Sequence, residues 1–205
     1  MSFRIEEKIL LKRSDQNKLK KFIYENGGKI IFPKRKVRSI YFDNKNFQSF
    51  HDSEEGCVPR KKIRIRNYDN HKKYSLEIKI NSNEGKFKKS FKIDLPNYLN
   101  KIKKGFFDTS YGTCHPLIEI SYNREYFKLD DFRLTLDYDI LYKSFTGNNL
   151  FLDSESLVLE IKTNKLNIID KHFKMIPMQR SRFSKYCKGI ESVFGKPFFQ
   201  RYMQN

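Results

Sequence analysis

The sequence predicts an α+β fold built around a closed, eight-stranded antiparallel β-barrel with flanking helices. Three observations lead to this prediction. Eight segments combine alternation of apolar and polar residues with residue types typical of strands, short polar turns connect several of them, and three stretches between and after them are typical of helices. Closure is favoured because it removes the exposed edges of the sheet, although a β-sandwich fits the same strand count.

The predicted strands run through the chain without a change in pattern. Asp69-Asn70-His71 joins the third strand to the fourth, residues 81–85 join the fourth to the fifth, and both connections are typical of hairpin turns. Because no internal repeat or low-complexity stretch interrupts the pattern, one domain over residues 1–205 is predicted. The strands cover roughly residues 3–12, 34–43, 60–68, 73–80, 86–95, 117–127, 132–142 and 156–162.

Three helices are predicted between and after the strands. Apolar residues recur at helical spacing in the first and the third, so these helices can cover an apolar surface of the sheet. The first ends at Gly27-Gly28, a pair typical of a helix C-terminus. The helices cover roughly residues 15–26, 96–104 and 183–194.

The net charge indicates a polyanionic partner. Lys+Arg minus Asp+Glu is 42 − 24 = +18, and the pI is near 9.7. The three cysteines lack CxxC spacing, which argues against a disulfide framework or a zinc site. The N-terminal residues lack the apolar core of a signal peptide, and no apolar run approaches the roughly 20 residues needed to span a bilayer. A cytoplasmic protein without its own membrane segment is therefore expected.

Charged side chains alternate along five predicted strands. In residues 60–68, Lys62, Arg64, Arg66 and Tyr68 share one face and isoleucines occupy the other. One interpretation is a sheet whose charged face is solvated. Mixed basic and acidic residues on five strands, together with helices that can cover the apolar face, favour charges on the inside. The same alternation gives shared faces to Glu77 and Lys79, to Glu160 and Lys162, to Arg133, Thr135 and Asp137, and to Arg4, Glu6 and Lys8.

The residue types on the charged face suit phosphate and a divalent metal. Arg offers a planar fork to phosphate oxygens and Lys offers a compact point charge. Mg²⁺ usually takes one or two carboxylates plus phosphate oxygens. Glu160 and Glu6 are the best candidates for the metal, with Glu77 and Asp137 behind them. For every carboxylate except Glu160, a plain salt bridge with a neighbouring cation remains the favoured alternative.

At this point the motifs resemble the catalytic domain of the vacuolar transporter chaperone (VTC) polyphosphate polymerases, a branch of the triphosphate tunnel metalloenzymes. The resemblance extends over nearly the whole chain. Each motif alone is weak evidence for the family, but the order and spacing of all the motifs together are specific to it. They are Arg4-x-Glu6-x-Lys8, Ser39-Ile40-Tyr41-Phe42-Asp43, Lys62-Ile63-Arg64-Ile65-Arg66-x-Tyr68, Leu76-Glu77-Ile78-Lys79, Tyr122-x-Arg124, Arg133-x-Thr135-x-Asp137, Leu159-Glu160-Ile161-Lys162 and Arg182-Phe183-Ser184-Lys185-Tyr186.

The resemblance implies an eight-stranded tunnel that transfers the γ-phosphate of ATP to a growing polyphosphate chain, with Mn²⁺ or Mg²⁺. Together with the strand alternation it leads to three groups of predicted site residues. Catalysis is assigned to Lys8, Arg64, Arg66, Lys79, Arg124, Arg133 and Lys185; phosphate binding to Lys62, Lys88, Lys162, Arg182, Ser184 and Tyr68; and metal binding to Glu160 and Glu6.

The chain departs from the wider tunnel family at two positions. That family begins with Glu-x-Glu-x-Lys, whereas Arg4 stands first here, which agrees with the polymerase branch and weakens a two-carboxylate metal site on the first strand. Position 182 is Arg where Lys is expected, which keeps the charge but changes its geometry.

Several functions remain open at this stage. The expected partners are ATP or another nucleoside triphosphate, polyphosphate, and pyrophosphate or phosphate, and a separate membrane protein stays open as a partner. A tripolyphosphatase or nucleoside triphosphatase in the same tunnel is the nearest alternative to the polymerase, followed by a non-catalytic polyphosphate-binding module. Nucleic acid is not expected as a partner, because cations that alternate with carboxylates suit an enclosed phosphate site better than an open stacking surface.

Overall fold

The structure is a computed structural model that describes residues 5–163 and 183–195, which form nine strands and four helices. The predicted α+β class is confirmed. The strands are β1 (Ile5–Lys12), β2 (Lys29–Asp43), β3 (Arg60–Tyr68), β4 (Tyr74–Ser82), β5 (Gly85–Ile93), β6 (Phe106–Asp108), β7 (Gly112–Leu129), β8 (Phe132–Ser144) and β9 (Leu150–Thr163). The helices are α1 (Gln16–Glu25), α2 (Gln48–Glu55), α3 (Leu95–Lys104) and α4 (Lys185–Phe194).

The strands follow one another in the sheet in the order β1-β9-β8-β7-β2-β3-β4-β5, and β6 pairs with β7. The pairings with a recorded register, from β1–β9 to β6–β7, are all antiparallel. Within the described residues, the order has two ends, β1 and β5, and hydrogen bonds between those two strands are not among its pairings. The antiparallel sheet is therefore confirmed, whereas its closure into a barrel stays a prediction.

All eight predicted strands and all three predicted helices are present, and one strand and one helix were missed. Strand β6 has three residues, too few to show alternation. Helix α2 follows Phe47, whose backbone is left-handed at φ 54°, and its sequence QSFHDSEE contains a single large apolar residue. Strand β2 also begins five residues before the predicted start, because its first half is exposed and includes Pro33.

The chain divides into two compact units, whose boundaries fall inside long strands. Of the described residues, unit 1 contains 5–36, 122–140, 152–163 and Phe183. Unit 2 contains 37–121, 141–151 and 184–195. The prediction of a single domain stays a prediction.

Unit 1 has an apolar core between helix α1 and one face of its strands. Leu19 and Ile23 of α1 pack with Leu134 and Leu136 of β8 and with Leu159 of β9. These side chains are almost fully buried. The predicted role of the first helix as a cover for an apolar face is therefore confirmed.

Unit 2 has a separate core beneath helix α3. Ile63 and Ile65 of β3 and Leu76 of β4 form its centre, and Tyr98 and Ile102 of α3 pack against it. Asp94 caps α3 by accepting a hydrogen bond from the Asn97 backbone N–H at 2.9 Å. In both units the helices cover apolar faces, so the charged residues of the same strands occupy the opposite faces.

Across the two described stretches, none of the helices combines the length and the apolar composition that a membrane-spanning helix requires.

Candidate functional site

The first charged cluster lies in unit 2, on one face of strands β3, β4 and β5. Alternation along β3 places Lys62, Arg64 and Arg66 on the face opposite its isoleucines. Both faces of β3 are buried, since Arg64 is 7% exposed and Ile63 is 1% exposed. The interpretation of a charged face in open water therefore fails for the centre of this strand. We call this set the cationic cluster; it consists of Lys62, Arg64, Arg66, Glu77, Lys79 and Lys88.

Glu77 is the acidic member of the cationic cluster and is 3% exposed. Its Oε2 accepts hydrogen bonds from Arg64 Nε at 2.7 Å and Arg64 Nη2 at 2.5 Å, and Arg66 Nη1 lies 3.8 Å away. Lys88 pairs with the other carboxylate oxygen. Burial alone would raise the pKa of Glu77, but Arg64, Arg66 and Lys88 hold that pKa well below its usual range. Glu77 is therefore an ionised anchor for two arginines.

Three lysines of the cationic cluster lie side by side across neighbouring strands. Lys62 on β3 is the register partner of Lys79 on β4, and Lys79 is the register partner of Lys88 on β5. Like charges directly opposite one another on antiparallel strands are unfavourable. Lys88 is also paired with Glu77, and a polyanion would supply further negative charge along the row, so the row suits a chain of phosphates as its ligand.

Strand β2 supplies two polar partners to the arginines. The Tyr41 hydroxyl accepts a hydrogen bond from Arg64 Nη1 at 2.8 Å, and Ser39 Oγ accepts one from Arg66 Nε at 3.0 Å. Burial would raise the pKa of Tyr41, but the two nearby guanidinium groups lower it overall. The sequence-based prediction assigned neither residue a role. Their spacing of two, on a strand next to β3, was the signal that could have found them.

Helix α4 begins beside the cationic cluster. Ser184 caps the helix by accepting a hydrogen bond from the Cys187 backbone N–H at 3.3 Å, and its Oγ also accepts one from Lys62 Nζ at 2.9 Å. Lys185, half-buried, is the first residue of the helix. The structure thus brings two predicted phosphate-binding residues, Ser184 and Lys62, into contact. Arg182 lies outside the described residues.

A buried tyrosine anchors α4 to β2. The Tyr186 ring stacks on Tyr41 with centroids 5.2 Å apart, and its hydroxyl donates to Asp43 Oδ2 at 2.5 Å. Asp43 also accepts hydrogen bonds from the backbone N–H groups of Ser49 and Phe50, at 3.0 and 3.1 Å. Burial raises the pKa of Asp43 and that of Tyr186. The contact joins residues 143 positions apart and holds the N-terminus of α4 at the cluster.

The second charged cluster lies in unit 1, on strands β1, β7, β8 and β9. Glu6 on β1 lies 3.5 Å from Lys8 Nζ and 3.5 Å from Lys162 Nζ. Lys162 lies 2.7 Å from Glu160, and Arg124 Nη2 lies 3.4 Å from the other oxygen of Glu160. Positive and negative groups therefore alternate through the set. We call it the carboxylate cluster; it consists of Lys8, Glu6, Lys162, Glu160, Arg124 and Asp137.

Arg124 and Asp137 form the buried end of the carboxylate cluster. The guanidinium donates through Nε and Nη2 to the two oxygens of Asp137 at 2.5 and 2.6 Å, a bidentate geometry. Asp137 is fully buried. Burial alone would lower the pKa of Arg124, but Asp137 holds it well above its usual value. The sequence-based prediction ranked Asp137 behind Glu160 as a metal ligand and favoured a salt bridge for it, and the structure pairs it with Arg124.

The carboxylate cluster fits a divalent metal in one respect. The ammonium group of Lys162 sits between carboxylate oxygens of Glu6 and Glu160, so two hard oxygen donors already converge on one positive charge. A divalent ion bound by one or two carboxylates completes its shell with water and substrate phosphate. Within residues 5–163 and 183–195, no three His, Cys, Asp or Glu side chains form a ready-made metal site.

Two predicted site residues lie away from these ion pairs. Arg133 is exposed on β8, with its guanidinium carbon 5.7 Å from the Tyr126 ring and 5.9 Å from the Phe32 ring. Tyr68 is half-buried at the end of β3, where its ring lies 6.0 Å from the guanidinium of Arg66. The structure therefore brings together most of the predicted residues in two groups, one in each unit.

Comparison with known proteins identifies a family. The sequence profile of the family described as the VTC domain matches residues 3–194. No curated protein matches the chain.

Solved structures share the fold at low sequence identity. A provisionally named adenylate cyclase from Bacillus halodurans has a TM-score of 0.63 and 14% identity, over 91% of this chain and 96% of its own. A protein from Pyrococcus horikoshii OT3 has a TM-score of 0.56 and 14% identity, over 92% and 99%. A provisionally named adenylyl cyclase from Hippeastrum, with a dominant triphosphatase activity, has a TM-score of 0.53 and 16% identity, over 89% and 93%. At these identities the likeness shows the fold alone.

Proposed function

Because the chain belongs to the VTC domain family, we propose that it is a metal-dependent polyphosphate polymerase domain. It transfers the γ-phosphate of ATP to a growing polyphosphate chain, in the basic tunnel that the family resemblance implies. The observation that supports the proposal is the cationic cluster, in which five basic side chains, three of them lysines aligned across β3, β4 and β5, gather around the carboxylate of Glu77.

The cationic cluster is proposed to hold and align the phosphates. Glu77 fixes Arg64 and Arg66 in place, so their guanidinium groups are held in position beside the site rather than free to turn. Lys62 is held in the same way by Ser184. Positioning and charge neutralisation are the main requirements of phosphoryl transfer, which needs little covalent help from the protein.

The reaction itself needs no dedicated general base. A terminal phosphate oxygen of the acceptor forms the new bond to the γ-phosphorus of ATP, while the bond from that phosphorus to the β,γ-bridging oxygen breaks and ADP leaves. The attacking oxygen is already anionic, so no proton has to be removed from it. Arg and Lys side chains neutralise the charge that develops on the leaving oxygen.

The carboxylate cluster is proposed to hold Mn²⁺ or Mg²⁺ through Glu160 and Glu6. These two carboxylates would hold the ion, and the ion would supply positive charge that stabilises the phosphates during transfer. Lys162, which now lies between the two carboxylates, would give up that position and become available for phosphate. Arg124 stays paired with Asp137 and limits how far Glu160 can move.

The test is a product analysis with ATP and Mn²⁺. The proposal predicts a ladder of polyphosphate on a gel, together with stoichiometric ADP and little free phosphate. The matched control is the same reaction with Glu160→Gln, which should give neither product while the protein still binds tripolyphosphate without metal. Tripolyphosphate binding without turnover in the unmodified protein would instead identify a non-catalytic polyphosphate-binding module.

A triphosphatase is the second candidate. It is favoured by the Hippeastrum protein of the same fold, which has a dominant triphosphatase activity. A hydrolase would use water in place of the polyphosphate acceptor. Free phosphate as the main product, with no ladder even when short polyphosphate is supplied as primer, would support hydrolysis and exclude the polymerase.

A further inference from the structure

Thr135 is a buried polar residue to which neither the predicted site residues nor the ion pairs assign a role. It is 2% exposed, and its Oγ1 has no hydrogen-bond partner within the described part of the chain. A buried hydroxyl without a partner loses the hydrogen bonds it made to water, and native proteins contain few such groups. A ligand oxygen within reach would give such a hydroxyl a hydrogen-bond partner.

The position of Thr135 shows which ligand would reach it. Leu134 and Leu136 point into the core of unit 1, so Thr135 points to the opposite face, which it shares with Asp137 and Arg133. Same-face residues on a strand are about 6.6–6.8 Å apart per two residues. The hydroxyl therefore lies one step from the Arg124–Asp137 pair and one step from the exposed Arg133.

We propose that the Thr135 hydroxyl is a further phosphate ligand, which donates a hydrogen bond to a phosphate oxygen that lies along β8 between Asp137 and Arg133. This inference rests on the proposed function. Asp137 repels such a phosphate only weakly, because Arg124 neutralises it through two hydrogen bonds. Arg133 adds a positive charge on the other side.

The shielding of Thr135 sets a condition on ligand entry. Since Oγ1 is closed off from solvent, a phosphate that reaches it must displace a neighbouring side chain. Arg133 is exposed, and its guanidinium rests on the rings of Phe32 and Tyr126, so it can swing outward without breaking a buried ion pair.

The test compares Thr135→Val with Thr135→Ser. Valine has nearly the shape of threonine but no hydroxyl, so metal-free tripolyphosphate should bind roughly tenfold to a hundredfold more weakly by calorimetry, the usual range for a hydrogen bond to a charged group. Serine keeps the hydroxyl and should restore most of the affinity. Thr113→Val, at an exposed position of the β6–β7 hairpin, is the matched control and should bind like the unmodified protein.

Thermal unfolding without ligand separates this role from a structural one. A hydroxyl that serves the ligand predicts that Thr135→Val is at least as stable as the unmodified protein, because an unpartnered polar group has been removed. Lower stability with unchanged affinity would overturn the inference. If valine prevents folding, Thr135→Ala gives the same affinity test with a smaller side chain. An unmodified protein that does not bind tripolyphosphate would overturn the proposed function as well, whereas binding that Thr135→Val leaves unchanged would overturn this inference alone.

Discussion

The two charged clusters contain the same residue types in different proportions. The carboxylate cluster of unit 1 has three acidic and three basic side chains, so its formal charge is 3 − 3 = 0. The cationic cluster of unit 2 has five basic side chains and one acidic one, so its formal charge is 5 − 1 = +4. The net charge of the whole chain could not have shown that the two clusters differ in this way. The difference agrees with the proposed function, in which the balanced set would exchange a lysine for a metal ion and the unbalanced set would bind phosphates.

The largest effect should come from Glu160→Gln in the carboxylate cluster. The neutral amide keeps the shape but loses the charge that a divalent ion requires, so metal-dependent turnover should fall on the order of a hundredfold or more, while metal-free tripolyphosphate binding persists. Turnover is measured with ATP and Mn²⁺. Glu155→Gln, an exposed position on the same strand, is the control. Full activity in Glu160→Gln would contradict the assignment of the metal to the carboxylate cluster.

The next effect concerns stability and the cationic cluster. Glu77→Gln leaves two buried arginines without their carboxylate, which should reduce the free energy of unfolding by about 3–5 kcal/mol, as expected when one partner of a buried ion pair is removed. Urea unfolding measures the change. Glu84→Gln, in the exposed β4–β5 turn, should leave stability unchanged. A loss below about 1 kcal/mol would mean that Glu77 behaves like a surface ion pair and does not anchor the arginines.

The stabilisation by Glu77 should also depend on pH. Its pKa in the folded protein is lowered, so its contribution is fully present above the ordinary carboxyl pKa and is lost as pH falls toward the lowered value. The difference in unfolding free energy between the unmodified protein and Glu77→Gln should therefore be constant from neutral pH down to about pH 5 and shrink below pH 4. A difference that grows with acidity would show that the carboxyl is protonated in the folded state.

A smaller effect is expected for the lysine row. Lys79→Met removes the central charge, so affinity for tripolyphosphate should fall roughly tenfold and the salt dependence of binding should become weaker. Lys89→Met, an exposed residue paired with Ile78 on the other face of β5, should change neither quantity much. Equal losses in both variants would point to general surface charge as the cause.

Alternation made most of the fold and the charged faces predictable from sequence. The alternation of residue types within one strand shows which residues share a face. Arg64, Arg66 and Glu160 could therefore be placed on charged faces without knowledge of their neighbours. The helices that cover the apolar faces were predictable from their spacing for the same reason. Strand β6 and helix α2 were missed because neither is long or apolar enough to show a period.

Register and long-range contacts could not be predicted in the same way. Whether Lys62, Lys79 and Lys88 form one row depends on the number of residues in two turns, and a shift of one residue would place them on opposite faces. The bidentate pair of Arg124 with Asp137 and the anchor of Tyr186 on Asp43 depend on how distant segments fold together. A single sequence contains no local signal for either contact.

Burial on both faces of β3 has a consequence for the variation that this strand can accept. At its centre, Ile63 and Ile65 pack into a core, whereas Arg64 and Arg66 are held by Glu77, Tyr41 and Ser39. The two isoleucine positions should therefore not tolerate polar residues, and the two arginine positions should not tolerate apolar ones. The edge strand β5, by contrast, is exposed along most of its length. In a library of all single substitutions, β3 should be depleted at consecutive positions, whereas β5 should tolerate replacements at most of its positions. Within unit 2, natural divergence should therefore accumulate on β5 long before it reaches β3.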